Sequence, residues 1–234
     1  MTAIFKREFK AYFTSPLGYL VVGILALFEG LFFVFACAQG TAETEAIISS
    51  CTLIIMFVIP ILTMRLFSEE RKQKTDQLLL TAPVSLWGIA LGKFFSAFAV
   101  YGLSFAPTVV YQIIFVAKVE TLDWGKYLCA LFGIALYGAA LIAICLFISA
   151  ITESQVIAAV ISMAISLGLN MLDTLAGMTG SSFIIKAASH LLFLNRYTTF
   201  HNGIIDFSNI IFFVSIAFFF IFLTVRMLEK KRWA

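Results

Sequence analysis

The 234-residue sequence has few charged residues, two histidines and none of the short motifs that bind nucleotides or activate a nucleophile. It lacks GxxxxGK[ST], the loop that holds ATP phosphates, and it lacks GxSxG. His190 and His201 stand alone, and no cysteine pair has CxxC spacing. We therefore expect no ATP site, no metal site, no cofactor and no catalytic residue on this chain, which makes a membrane enzyme improbable.

Charge is also scarce in total, whereas apolar residues are abundant. Charged residues make up 12% of the chain and hydrophobic residues 62%, including 26 phenylalanines. This is more apolar surface than a globule of this size can bury, so the surplus is expected to face lipid. The net charge of +3 is too small to indicate a nucleic-acid partner.

Long uncharged runs predict the fold class, an all-α integral membrane protein with six transmembrane helices. About 20 apolar residues cross a hydrocarbon layer of about 30 Å. Five such runs contain no charge, and a sixth, near the N-terminus, contains only Glu29. The sequence predicts one permease-like domain over residues 1–234, with helices at 17–38, 46–66, 88–117, 127–152, 154–173 and 207–228.

The basic residues predict how the helices are oriented. If the N-terminus is inside, 12 of the 16 lysines and arginines fall in cytoplasmic segments. Six spans return the basic C-terminus to the same side, so both termini are predicted to be cytoplasmic. Residues 1–15 alternate aromatic and basic side chains at helical spacing and predict an amphipathic helix in the membrane interface, in contact with lipid. The alternative is a disordered basic leader that only sets topology.

Two long connections attract attention, one in the cytoplasm and one outside. The cytoplasmic segment 67–86 combines mixed charge with three consecutive leucines, and Ser68 is a candidate N-cap for a short helix in it. An apolar patch rimmed by charge is typical of a docking surface, although the lysines alone are also explained by topology. The outer segment 174–206 is too apolar for a free loop and too broken for a seventh span, so it predicts re-entrant or surface-lying helices.

Few polar side chains lie inside the predicted spans. Glu29 is the single acidic group within its span, and such a group is costly unless it is paired, hydrated or protonated. It is a candidate pathway residue, or else a neutral carboxyl that hydrogen-bonds a neighbouring helix. Ser162, Ser166 and Asn170 follow one another at i, i+4 spacing in the fifth span. They are candidates for a polar pathway, with helix packing as the alternative.

The charged segment carries a motif that resembles the coupling segment of type 2 ABC transporter permeases, and the gliding-motility-associated type most of all. The motif consists of an acidic pair and arginine, a threonine, a leucine cluster, a proline with a small residue, and a Gly-Lys pair that opens the third span; Lys74 stands where the family has glycine. The resemblance implies contacts with an ATPase by Glu69, Glu70, Arg71, Thr75, Asp76, Leu78, Leu79 and Pro83. In it Glu70 and Arg71 would form ion pairs, and Leu78 and Leu79 would be the apolar anchors.

The same resemblance implies a type V exporter-like permease in a bacterial inner membrane. Two permease chains would pair, as two copies or with a related permease that carries a large outer domain, and each would sit on an ABC ATP-binding subunit. ATP and magnesium would be bound by those partners. Two other functions remain open: a membrane anchor that does mechanical work in the cell envelope without transport, and a proton-coupled secondary carrier built around Glu29.

Overall fold

The computed structural model describes residues 1–40, 43–73, 84–118, 123–179 and 193–233. These residues form helices and no strands, in agreement with the predicted all-α class. In chain order the helices are α1 (Thr2–Thr14), α2 (Pro16–Gln39), α3 (Thr44–Ser50), α4 (Thr52–Thr63), α5 (Arg65–Lys72), α6 (Leu86–Leu103), α7 (Ala106–Lys118), α8 (Trp124–Ile151), α9 (Gln155–Thr179), α10 (Phe193–His201) and α11 (Phe207–Trp233).

Five helical segments of this described part are long and apolar enough to cross a membrane. They are Pro16–Gln39, Thr52–Lys72, Leu86–Ala117, Trp124–Ile151 and Phe207–Arg232. A sixth apolar stretch, Gln155–Met171 in α9, is shorter than these five. A multi-pass membrane protein is therefore confirmed, and the sixth span stays a prediction.

The N-terminal helix α1 packs against the bundle rather than standing apart from it. Ile4, Glu8 and Tyr12 recur at i, i+4 spacing and turn toward α2 and α6, and the Tyr12 hydroxyl donates a hydrogen bond of 2.9 Å to the Leu62 carbonyl. The pattern of residues 1–15 predicts that Tyr12 lies on a lipid-facing aromatic face, and this is wrong, because Tyr12 is buried in the bundle. Ser15 is extended (φ −100°, ψ 157°) and separates α1 from α2, because a residue before proline avoids the helical region.

The second and third spans are both interrupted. The predicted helix 46–66 consists of α3, α4 and α5, with breaks at Cys51 and Met64, and Pro60 lies inside α4. The predicted helix 88–117 divides into α6 and α7 directly before Pro107, where proline cannot supply an N–H to the preceding turn. Pro107 thus lies next to the break of the third span, whereas Pro60 lies within a continuous helix between the two breaks of the second span.

Helix α8 occupies the centre of the bundle and packs against α3, α4, α5, α6, α9, α10 and α11. Its glycines allow this close packing, since a Cβ on Gly138 would overlap the Tyr101 ring of α6 and one on Gly133 would overlap Phe200 of α10. A three-residue turn, 152–154, joins α8 to α9 and confirms the tight connection predicted around Glu153.

The outer segment is described only in part. Helix α9 continues to Thr179, beyond the predicted end at 173, and α10 buries Phe193, Tyr197 and Phe200. One helix is thus present in the segment 174–206, whereas residues 180–192 lie outside the described residues. The depth of α10 in the membrane stays a prediction.

Candidate functional site

A buried lysine joins three helices at the end of the bundle that carries α1, α5 and the start of α6, called here the basic end. Lys93 of α6 is only 1% exposed, and its Nζ lies 3.2 Å from the Glu8 carboxylate of α1 and 3.0 Å from that of Glu70 of α5. The ammonium also donates a hydrogen bond to the Leu66 carbonyl and lies 5.0 Å from the centre of the Phe67 ring. A lysine this deeply buried requires such partners.

Arg7 completes this cluster, and Arg7, Glu8, Glu70 and Lys93 are called here the charge cluster. Its guanidinium lies 2.6 Å from the Glu8 carboxylate and 2.7 Å from that of Glu70, so two cations neutralise two anions. Burial alone would raise the pKa of Glu8, but Lys93 and Arg7 outweigh it and hold the pKa below its usual value. Burial opposes ionisation of Arg7 as well, yet Glu8 and Glu70 raise its pKa. The cluster thus favours the ionised form of these two side chains.

A serine of the central helix forms a second joint. The Ser149 hydroxyl accepts hydrogen bonds from the backbone N–H groups of Phe67 (3.1 Å) and Ser68 (3.3 Å) and donates one of 3.1 Å to the Met64 carbonyl. It therefore bridges the break between α4 and α5. The prediction that Ser68 caps a short helix is wrong, because Ser68 is buried within α5 and its hydroxyl donates to the Met64 carbonyl.

A third set of contacts, called here the Arg71 joint, satisfies the free carbonyl groups at the C-terminal end of α8. Arg71 donates hydrogen bonds to the carbonyls of Ile151 and, at 3.4 Å, Ala150, and its guanidinium lies 2.9 Å from the Glu153 carboxylate. Lys231 of α11 donates a hydrogen bond of 2.7 Å to the same Ala150 carbonyl. Cations at a helix C-terminus satisfy unpaired carbonyls and the negative end of the dipole. The C-terminal end of α11 and the end of α5 are thereby both fixed to the C-terminal end of α8.

The predicted coupling residues divide between these joints and the undescribed segment 74–83. Glu70 and Arg71 bind other parts of the same chain, and Glu69 pairs with Arg65 at 3.1 Å within α5. The remaining predicted contacts, which lie outside the described residues, are Thr75, Asp76, Leu78, Leu79 and Pro83.

Sequence reasoning did not identify Arg7, Glu8, Lys93 and Ser149 as parts of this site. One signal was available, since Glu8 is the single acidic residue of α1 and stands between Ile4 and Tyr12 at i, i+4 spacing. When the one acid of a basic helix lies on the face that packs against the rest of the protein, a cationic side chain is expected on the helix that it faces.

The polar row of α9 faces the central helix. Asn170 accepts a hydrogen bond of 3.0 Å from the Tyr137 hydroxyl of α8 and donates one of 2.8 Å to the Ser166 carbonyl. The Ser166 hydroxyl lies 4.0 Å from the Cys145 sulfur, and Ser162 is buried without a hydrogen-bond partner. The structure therefore brings the three predicted residues onto the interface between α8 and α9.

A partly open cavity of about 420 Å³ lies beside this row. Asn170 is the member of the row that lines it, together with Ser49, Ser50 and Thr52 of the α3–α4 segment. The rest of the lining is apolar: Leu53, Met56, Leu167, Met171 and Leu194. A mainly apolar cavity with a few polar groups is the usual form of a small-molecule site.

Glu29 lies inside the bundle rather than on an outer face of the chain. It is 0% exposed, and neither carboxylate oxygen has a hydrogen-bond partner. Among the described residues no group of three His, Cys, Asp or Glu side chains could hold a metal ion.

Comparison with known proteins identifies the family. The sequence matches the family described as ABC-2 family transporter protein over residues 2–228. No curated protein matches the chain. The family match covers nearly all of the sequence, and the apolar helices agree with a multi-pass membrane domain. Members of this family are membrane permease subunits that are generally not catalytic, and the family implies an ABC ATP-binding partner. The chain therefore belongs to the ABC-2 transporter family as a membrane permease subunit.

Proposed function

We propose that this permease couples ATP hydrolysis by a separate ABC subunit to the movement of a substrate across or out of the membrane. The observation that carries the proposal is the construction of the basic end. The charge cluster joins α1, α5 and α6, and the Ser149 and Arg71 joints fix α5 to α8. Residues 73–85 connect α5 to α6, so a force applied to this connection would act on a block of linked helices rather than on one loop.

The contacts of α5 suggest that different residues of the coupling segment have different roles. Glu70 and Arg71 already have partners inside the chain, which supports a role in positioning the segment. The apolar contacts with the ATPase are then assigned to Leu78 and Leu79, with Thr75 and Asp76 beside them. The resemblance of these residues to the coupling segment of gliding-motility-associated permeases supports a place in that subgroup.

The proposed substrate pathway runs along the cavity beside α9. Asn170 lines the cavity and lies one and two helical turns from Ser166 and Ser162 on the same face. The α4 segment that lines the other wall continues through Pro60 to α5. A displacement of α5 would therefore change the width of the cavity.

The assembly follows from the same reasoning. Two ATP-binding subunits, which bind ATP and magnesium, would each contact one permease, and the second permease is a further copy or a related chain. Positive charge gathers at the basic end, on α1 and in the last turn of α11, which supports cytoplasmic termini in a bacterial inner membrane.

Capture of the ATPase tests the proposal. The tagged chain is co-expressed with the ABC subunit of its own system, purified in nanodiscs and assayed for bound ATPase and ATP hydrolysis. We expect stoichiometric capture by wild type and at least a tenfold loss in Leu79→Asp, because a charge would be placed in an apolar contact. The control is Arg226→Gln, which breaks an exposed pair with Glu229 on α11.

Equal capture by wild type and Leu79→Asp would contradict the assigned contact. A wild-type chain that captures no ATPase at all would contradict the coupling function itself.

A further inference from the structure

Glu29 of α2 occupies a buried position for which neither the fold nor the coupling function accounts. Two contacts place it beside α7: Phe33 stacks on Tyr111 with ring centres 4.5 Å apart, and a Cβ on Gly30 would lie 3.4 Å from the Tyr111 hydroxyl. Glu29 precedes Gly30 directly. Its carboxyl is therefore in the apolar interior, where an unpaired charge is far more costly than a neutral group.

Two further polar side chains, on the helices packed against α2, also have no hydrogen-bond partner in the described part of the chain. Gln112 of α7 is 0% exposed, and neither its amide oxygen nor its amide nitrogen is hydrogen-bonded. Thr44 begins α3, a helix that packs on both α2 and α7, and its buried hydroxyl is unpaired as well. The Glu45 Oε2 next to Thr44 is unpaired as well. Buried polar groups nearly always have partners, so these orphaned groups on packed helices indicate a small polar ligand that completes their hydrogen bonds.

One turn earlier on α7, a buried polar side chain does have a hydrogen-bond partner. Thr108 is four residues before Gln112, and its hydroxyl lies 3.0 Å from the Tyr127 hydroxyl of α8. The orphaned groups are thus specific to the level of Glu29 and Gln112 and are not a general feature of α7.

Among the residues that the structure describes, the groups around Glu29 supply no positive charge. The titratable groups within its electrostatic reach are the Cys51 thiol and the hydroxyls of Tyr101, Tyr111 and Tyr127. On the elements packed against α2, Glu45 is a further acid on α3. Lys93 of α6 is eight residues before Tyr101, about 12 Å along the helix, and is bound to Glu8 and Glu70.

We propose that Glu29, Gln112 and Thr44 form a buried proton-binding site that also holds water. The Glu29 carboxylate takes one proton from the aqueous phase and becomes a neutral carboxylic acid. This acid offers one donor and one acceptor, and the amide and hydroxyl offer both kinds of group, so water can complete the hydrogen bonds of all three. An opening of α2 from α3 and α7 that admits bulk water would release the proton.

A hydrophobic carbodiimide tests this assignment because it reacts with protonated carboxyls in apolar surroundings. The acid adds across one C=N bond of dicyclohexylcarbodiimide: the carboxyl oxygen bonds to the central carbon, the proton passes to nitrogen, and the adduct rearranges to a stable N-acylurea. The chain in nanodiscs is treated between pH 6 and pH 9 and its mass is measured. We expect one adduct per chain, formed more slowly as the pH rises.

Two matched variants locate the adduct. Glu29→Gln removes the carboxyl while keeping its shape, and labelling is expected to fall at least tenfold. Glu45→Gln removes another acid near the same junction and is expected to label as wild type does. Labelling that persists in Glu29→Gln would overturn the proposal, as would protection of wild type by sodium ions at constant pH, because a metal ion would then be the occupant.

Thermal unfolding provides a second readout that does not require the reagent to enter. Glutamine mimics the neutral acid, so Glu29→Gln is expected to unfold within about 2 °C of wild type at pH 7. A larger drop would show that the protein uses the ionised carboxylate, and it would overturn the proposal even if no adduct formed. Neither measurement requires the ATPase, so the result is independent of the coupling function.

Discussion

Replacing Lys93 by methionine tests whether the charge cluster holds the basic end together. Methionine keeps most of the length of the side chain but removes the ammonium that lies 3.2 Å from Glu8 and 3.0 Å from Glu70. Removing one partner of a buried pair costs about 3–5 kcal/mol because the other charge is left unpaired. Arg7 still contacts both carboxylates, so we expect a loss near the lower limit, about 3 kcal/mol.

For a chain of this length, about 3 kcal/mol lowers the unfolding temperature by about 6–12 °C. Thermal unfolding of the purified chain, followed by intrinsic fluorescence, measures the shift. Arg226→Gln is the matched control, because its exposed pair with Glu229 contributes about 0–1 kcal/mol.

A triple variant tests the reasoning itself. If the cost of Lys93→Met comes from the two carboxylates left behind, then Glu8→Gln and Glu70→Gln in the same chain remove that cost. The triple variant is expected to recover at least half of the lost unfolding temperature. An unfolding temperature for Lys93→Met that equals the control, or a triple variant less stable than the single one, would refute the argument.

Three further outcomes follow from other contacts. The depressed pKa of Glu8 contributes stability that is fully present above the unfolded pKa of 4.5 and is lost as the pH falls below it through the lower folded pKa. Glu8→Gln should therefore flatten the acid side of a plot of unfolding temperature against pH. Ser149→Ala should cost about 1–3 kcal/mol in chemical denaturation, since the N–H groups of Phe67 and Ser68 lose their acceptor, whereas Thr224→Ala, which loses a bond only within its own helix, should cost less. Gly138→Ala should lower the unfolding temperature by overlap with a tyrosine ring of α6, whereas Gly102→Ala, with open space around it, should not.

The membrane helices could be predicted because the bilayer imposes a length. An uncharged run of about 20 residues has few alternatives to a span, and five of the six predicted spans are long enough in the structure. The break before α7 could also be anticipated from Pro107, since proline removes a backbone donor, whereas Pro60 lies inside α4 and the breaks of that span fall at Cys51 and Met64 instead.

The rotation of α1 could not be predicted, because two stripes compete on this helix. Phe5, Phe9 and Phe13 recur at the same spacing as Ile4, Glu8 and Tyr12, and amphipathicity alone favours the aromatic stripe as the apolar face. The decision depends on long-range partners, among them a carbonyl of α4 and the ammonium of Lys93.

The charge cluster could not be predicted from the sequence for a related reason. Glu8 and Lys93 are 85 residues apart, and Lys93 was already explained by the excess of positive charge near helix ends. Ser149 gave no signal either, since a single serine in an apolar span is common. Glu29 was the exception, because one acid in an otherwise uncharged run is conspicuous in any register.

In the proposed orientation, helix α8 runs from α10, near its outer end, to α5, at its inner end. Its inner end is held by α5, whereas Gly133, near the other end, packs against Phe200 of α10. With 28 residues it is a rod about 42 Å long. A tilt of about 5° around its inner end would displace the outer end by about 4 Å. In the proposed mechanism, one continuous helix would convert a small rotation at its α5 end into an opening beside α10 that is wide enough to admit water.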